Sequence, residues 1–192
     1  EEALGIKKGE ILNGNLLNPD SNGIIGLYSK NGYSTARIES ITVGETGDVN
    51  IGLNEGIVKD ITFEKSTPKN DNDRQSSKRT KLRTKDYVLE RYLEVKPGQV
   101  LNNSDLESSI RELYRTGIFT RVTPELYGSE TDPNERNIKF IVEERPTTTI
   151  NGSISYGTSV GLVGGLKLAD DNFLGRDQQA SINLEASNKG DK

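Results

Sequence analysis

Cysteine, histidine, methionine and tryptophan are all missing from this sequence. Without cysteine there is no disulfide, no thiolate metal site and no thiol nucleophile, and no bridge reports the redox compartment. Without histidine the commonest general base and the commonest metal ligand go together. Apolar residues are scarce as well: 31% hydrophobic against 28% charged over 192 residues. That is too little for one large core and suits small modules joined by polar loops. Neither charge sign dominates, with 25 Lys and Arg against 29 Asp and Glu, a net of −4. No field therefore favours nucleic acid or an anionic membrane surface. No apolar run approaches the roughly 18 residues of a transmembrane helix. The opening Glu1-Glu2-Ala3-Leu4 lacks the basic and apolar regions of a signal peptide, and no Met begins the chain. It reads as a piece of something longer.

What is present repeats itself. Ile6-Lys7-Lys8-Gly9-Glu10-Ile11-Leu12-Asn13 returns as Val95-Lys96-Pro97-Gly98-Gln99-Val100-Leu101-Asn102. Leu27-Tyr28-Ser29-Lys30-Asn31-Gly32-Tyr33 returns as Leu113-Tyr114-Arg115-Thr116-Gly117-Ile118-Phe119. Each copy then enters a β-like run, 34–43 or 120–127, and closes on a second run ending in acid, 49–55 or 137–144. Four landmarks in one order, at offsets between about 85 and 89 residues, define two related modules.

The second copy shows the unit whole. Residues 56–65 set Ile57, Ile61 and Phe63 among polar residues, as a strand does. Residues 66–83 are a solvated polar loop. Thr84 caps an expected helix reaching Glu94, with Val88, Leu89, Tyr92 and Leu93 on its apolar face, and Pro97-Gly98 turns the chain. Ser104-Asp105-Leu106-Glu107 is a capping-box pattern opening a second helix with Leu106, Ile110, Leu113 and Tyr114 as its stripe. Gly117 stops that helix, and two strands follow around the turn at Asp132-Pro133-Asn134. The expected order is β-α-α-β-β. The first copy starts only at the end of its first helix, so its own strand one is absent.

After Pro146 period-two alternation takes over. Ile150, Gly152, Ile154 and Tyr156 form one apolar row. Leu162, Gly164, Leu166 and Leu168 form a second, and Ala180, Ile182, Leu184 and Ala186 a third. Strands of about ten residues, apolar on one side and joined by short turns, meet the requirements of a transmembrane β-barrel. A soluble β-sandwich edge has the same pattern, so alternation alone leaves both open.

These motifs carry a resemblance. The Gly-x-x-Leu-Asn entry, the Ser-x-x-Glu helix start, Leu113-Tyr114 with Gly117-Ile118-Phe119, and a strand pair ending Val142-Glu143-Glu144-Arg145 resemble a POTRA (polypeptide-transport-associated) domain. Glu143-Glu144-Arg145-Pro146 through Gly152, Tyr156 and Gly157 to Asn172-Phe173-Leu174-Gly175-Arg176 resembles the entry into the barrel of the BamA-type outer-membrane assembly superfamily. Tyr28 with Gly32-Tyr33, Glu55-Gly56-Ile57-Val58 and the long polar insertion are most similar to cyanobacterial members and their plastid outer-envelope descendants.

The resemblance implies an α+β chain with three parts. A truncated POTRA module spans 1–55, a complete one spans 56–146 with the polar loop 66–83, and the first antiparallel strands of a membrane β-barrel span 147–192. It implies a three-stranded sheet in the order one-three-two, which puts the second strand at an edge. That strand would accept an unfolded client or partner segment by β-augmentation along Thr120, Arg121, Val122, Thr123, Glu125, Leu126 and Tyr127. Pro124, which can donate no ladder bond, argues equally for an ordinary protected edge. Ile150, Ile154, Tyr156, Leu162, Leu166, Leu168, Ile182 and Leu184 would face lipid. Implied partners are unfolded outer-membrane or precursor proteins, accessory subunits and the membrane itself. Nucleic acid and cofactors are not expected. The implied location is a Gram-negative-type outer membrane or plastid outer envelope, with the modules on its periplasmic side. A soluble tandem scaffold without a barrel is the alternative.

Other chemistry finds little support, and no enzyme is expected. Glu143-Glu144 and Asp170-Asp171 are adjacent pairs whose members point to opposite strand faces, so neither converges on a substrate. Asp71-Asn72-Asp73 lacks the glycine and distal Glu of a calcium loop. Gly161-Leu162-Val163-Gly164-Gly165 is followed by no Lys-Ser/Thr and no helix pattern, so it is no nucleotide loop. The basic run 78–83 reads as a solvated loop, and Tyr28, Tyr33, Tyr114 and Phe119 as core packing.

Overall fold

The computed structural model describes residues 9, 11, 23–66 and 81–188. The Ile6–Asn13 landmark (apart from positions 9 and 11), most of the polar loop, Asp71-Asn72-Asp73 and the start of the basic run lie outside the described residues.

Helices and strands mix along the chain in the order α1 (Ile24–Lys30), β1 (Arg37–Val43), β2 (Val49–Asn54), β3 (Ile57–Lys65), α2 (Asp86–Glu90), α3 (Asn103–Arg115), β4 (Phe119–Gly128), β5 (Glu135–Glu144), β6 (Thr148–Gly157), β7 (Gly161–Asp170), a 3-10 turn (Phe173–Gly175) and β8 (Ala180–Ser187). Among the described residues three sheets result, with strand orders β1-β2, β3-β5-β4 and β6-β7-β8. The chain resolves into two compact units. One comprises Glu1–Thr62, Leu93–Glu112 and Pro124–Phe140, and the other Phe63–Tyr92, Leu113–Thr123 and Ile141–Lys192.

In the first unit α1 is short. Gly32, at φ +89°, ends it, and Tyr33 N–H donates back to the Tyr28 carbonyl at 2.9 Å. The two tyrosine rings meet edge to face at 6.0 Å. β1 and β2 form an antiparallel hairpin from Arg37↔Asn54 to Val43↔Val49, irregular between Ile38 and Ser40. The end of α1 and this hairpin are tied to later sequence by polar contacts. Asn103 N–H donates to the Gly32 carbonyl at 2.8 Å, and Arg37 and Asn54 both donate to the Pro133 carbonyl at 2.6 and 3.3 Å. The core is Val58, Val95, Leu101, Ile138 and Phe140, all closed to solvent.

The helix starts differ from the sequence expectation. α3 is capped by Asn102, whose side-chain oxygen accepts from Ser104 N–H at 2.8 Å. The cap therefore falls two residues before the Ser104 box, on a residue whose short amide reaches the free N–H equally well. α2 covers five residues rather than 84–94. Its N-cap is Lys85 without a side-chain cap, because Thr84 is bonded elsewhere. Past Arg91 the chain leaves helix: the N–H groups of Glu94 and Val95 donate to the Ser109 hydroxyl at 2.9 and 3.2 Å.

In the second unit Val88, Leu89, Leu113, Ile118, Phe119, Val122 and Val142 are buried. Tyr114 is not among them; at 43% exposure it departs from the expected core role. β6, β7 and β8 form an antiparallel meander with unbroken register, from Thr148↔Asp170 to Gly157↔Gly161 and from Val163↔Ser187 to Asp170↔Ala180. Among the described residues no helix is long and apolar enough to cross a membrane, which says nothing of strands.

Candidate functional site

The strand order puts β4 at one edge of its sheet. Thr120, Arg121, Thr123, Glu125, Leu126 and Tyr127 are exposed along it, whereas Val122 is buried. Buried Phe119 and Val122 stand three apart, so strict alternation breaks at Thr120-Arg121. The Val122 N–H donates to the Tyr114 hydroxyl at 3.0 Å. Two residues on, where the next N–H on that side would lie, stands Pro124, which has none. The middle of this edge is thus poor in donors, through one proline that the sequence revealed and one tyrosine that it did not. Around it Thr120 Oγ1 donates to the Glu143 carbonyl, and an exposed Arg121–Glu143 pair stands at 3.9 Å.

At the far end of β5, Lys59 Nζ donates to Glu135 and to Thr131 Oγ1, both at 2.6 Å. The bond to Glu135 is the largest influence raising the Lys59 pKa, and the same bond leads those lowering that of Glu135.

The eight apolar residues expected to face lipid lie on one face of the β6-β7-β8 sheet. Ile150 stands opposite Leu168 and Tyr156 opposite Leu162; Ile154 faces Gly164. Leu166 faces Leu184 and Leu168 faces Ile182. All eight are exposed, from 41% at Leu168 to 82% at Ile154. The other face carries Asn151, Ser153, Ser155, Lys167, Asn183 and Glu185, with Val163 and Ala169 the apolar exceptions. A contiguous bare apolar face of this kind marks a surface built to contact lipid or another chain.

A polar network that no sequence motif announces sits at the end of β5. The Glu144 carboxylate accepts from Arg83 N–H at 2.8 Å, from Thr84 N–H at 2.7 Å and from the Thr84 hydroxyl at 2.6 Å. Asn172 Nδ2 donates to the same hydroxyl at 2.9 Å. Arg83 also bonds Thr147 Oγ1 at 2.9 Å and pairs with Asp170. Tyr92 donates to Asp177, and that bond, followed by burial, pushes its phenol above the ordinary range. Adjacent Glu143 and Glu144 diverge, as strand geometry requires, so no acid pair forms. The sequence signal was Thr84 itself, a polar residue just before an apolar helix, read as a cap.

A small α+β unit is followed within a few residues by an antiparallel sheet with a bare apolar face. Residues 79–145 match the POTRA family model, described as surface antigen variable number repeat. The outer membrane protein assembly factor BamA of Neorickettsia risticii (strain Illinois) is 29% identical over 108 residues, covering 56% of this chain and 14% of that protein. Outer envelope protein 80, chloroplastic, of Oryza sativa subsp. japonica is 24% identical over 193 residues, covering 96% of this chain and 28% of its own length. The solved POTRA1-3 of the periplasmic domain of Omp85 from Anabaena superposes with a TM-score of 0.57 at 29% identity, covering 64% of this chain and 48% of that one. Residues 79–145 thus resemble a POTRA domain, and the chain is similar to proteins of the BamA-type superfamily. It spans only 14% and 28% of the two relatives' lengths.

Proposed function

We propose that this chain is the junction of an outer-membrane protein-assembly machine, where the last stalk modules meet the first strands of a membrane barrel. The observation that carries the reading is the β6-β7-β8 register, which puts eight large apolar side chains on one face and polar ones on the other. Strands of eight to ten residues with that alternation suit the apolar core of a bilayer. The named roles of the relatives, an outer membrane assembly factor and a chloroplastic outer envelope protein, support both the activity and the location. The modules are assigned to 1–55 and 56–146, each a form of the β-α-α-β-β unit, and the barrel entry to 147–192. The polar face then lines the barrel interior.

Clients in this reading are unfolded outer-membrane or precursor proteins, and accessory subunits join the same modules. The edge of β4 receives an extended client segment over Thr120–Tyr127. With the Val122 N–H occupied and Pro124 lacking one, that pairing is weak and short, which suits transfer rather than storage.

A photo-crosslinking residue at Thr123 or Glu125 in the full-length protein tests the reading, with a radiolabelled outer-membrane barrel precursor as client. Capture of the unfolded precursor and not of its folded form is expected. No capture from β4 combined with normal precursor insertion would remove the edge from the mechanism.

A further inference from the structure

The turn between β7 and β8 is built rather than slack. Leu174 and Asp177 hold φ of 56° and 55°, positions that non-glycine residues adopt only when their surroundings enforce them. Gly175, at φ +72°, lies so close to the preceding module segment that a Cβ there would stand 1.9 Å from the Arg83 carbonyl oxygen. Lys85 N–H donates to the Gly175 carbonyl at 3.0 Å. Thr84 is the hub, since its hydroxyl donates to Glu144 and accepts from Asn172. Asn172 also accepts from Asp177 N–H at 2.8 Å through its Oδ1. Thr84 and Asn172 are 2% and 1% exposed, and both have their polar side-chain atoms bonded. A buried polar network rigidifies when every member is satisfied, because each displacement strands a group in a low dielectric.

We propose that residues 83–92, the end of β5 and the turn after β7 form one rigid connector with Thr84, Glu144 and Asn172 as its positioning residues. Arg145-Pro146, between two strands, looks by sequence like a hinge. The network spans it and removes that freedom. The consequence for function rests on the barrel reading above: residues 83–92 and the end of β5 keep one orientation against the first barrel strands.

These 192 residues hold no cysteine, so Glu90→Cys in α2 and Ser155→Cys in β6, with any cysteine elsewhere in the full-length protein replaced by serine, give two labelled sites. Spin-label distance distributions in the full-length protein, in lipid nanodiscs, report the connector. The native protein and Thr84→Ser are expected to give one narrow distance. Thr84→Val and Asn172→Ala are expected to broaden it at least twofold, with strand content retained. A native distribution as broad as that of Thr84→Val overturns the proposal. If the variants fail to fold, amide exchange of the native protein decides instead. Arg83, Thr84 and Lys85 must exchange no faster than the β6-β7 ladder, and faster exchange overturns the connector. Alkaline extraction of membranes tests the barrel reading separately. A protein that washes off yet keeps the narrow distance would sink the barrel and leave the connector standing.

Discussion

Two glycines that share a positive φ separate conformational need from steric need. Gly98 and Gly175 both have positive φ, but a Cβ at Gly98 meets nothing within 4 Å whereas at Gly175 it strikes the Arg83 backbone. Gly98→Ala should cost about 1 kcal/mol, the left-handed penalty alone. Gly175→Ala should cost roughly 2–4 kcal/mol, because backbone must move as well. Chemical denaturation of the two variants checks the ranking; equal losses would show that the turn yields easily. Lys59 and Glu135 make a pH-dependent pair. The folded pKa of Glu135 lies below its ordinary value, so its contribution is present at neutral pH and lost as pH falls through that lowered value. Lys59 is raised, so its contribution holds through neutral pH and disappears as pH rises past its folded value. The melting-temperature gap between the native chain and Glu135→Gln should be flat near neutrality and close on the acid side. A gap that widens in acid would contradict this assignment.

At the scale of elements, periodic signals were legible and long-range polar ones were not. The helix around Leu106 and Leu113, the stop at Gly117 and the three alternating strands could be read because packing imposes a period on adjacent residues. The Asn102 cap competed with an equally good Ser104 pattern two residues later, and local chemistry did not rank them. The Thr84–Glu144 and Thr84–Asn172 bonds join residues 60 and 88 apart. No local pattern records such a pairing, and locally Thr84 has only the pattern of a helix cap. Ser109 was hidden for the same reason: it lies on the polar side of a helix pattern, yet it is fully buried and accepts two N–H groups. Ser109→Ala should cost about 1–3 kcal/mol by stranding those donors; a change below experimental error in urea titration would mean that water replaces the hydroxyl. On β4, Tyr114→Phe frees the Val122 N–H. One added hydrogen bond of about 1 kcal/mol should tighten binding of an extended peptide roughly fivefold. Titration with an outer-membrane strand peptide measures this, and unchanged affinity would show that pairing does not use Val122.

For the molecule as a whole, the POTRA match and the amphipathic sheet lie consecutively on one chain, with β5 ending at Glu144 and β6 starting at Thr148. That continuity is why the apolar face is read as lipid-facing rather than as half of a soluble sandwich. In a bilayer the face needs no protein partner; in water it would leave eight large side chains bare. The decisive measurement is a nitroxide scan along β7 and β8 of the full-length protein in lipid vesicles, comparing collisions with oxygen and with a water-soluble relaxer. Labels at Leu162, Leu166, Leu168, Ile182 and Leu184 should report lipid, and those at Val163, Lys167 and Asn183 should report water, with a period of two. A scan that is uniformly aqueous, or that shows no alternation, would contradict the account.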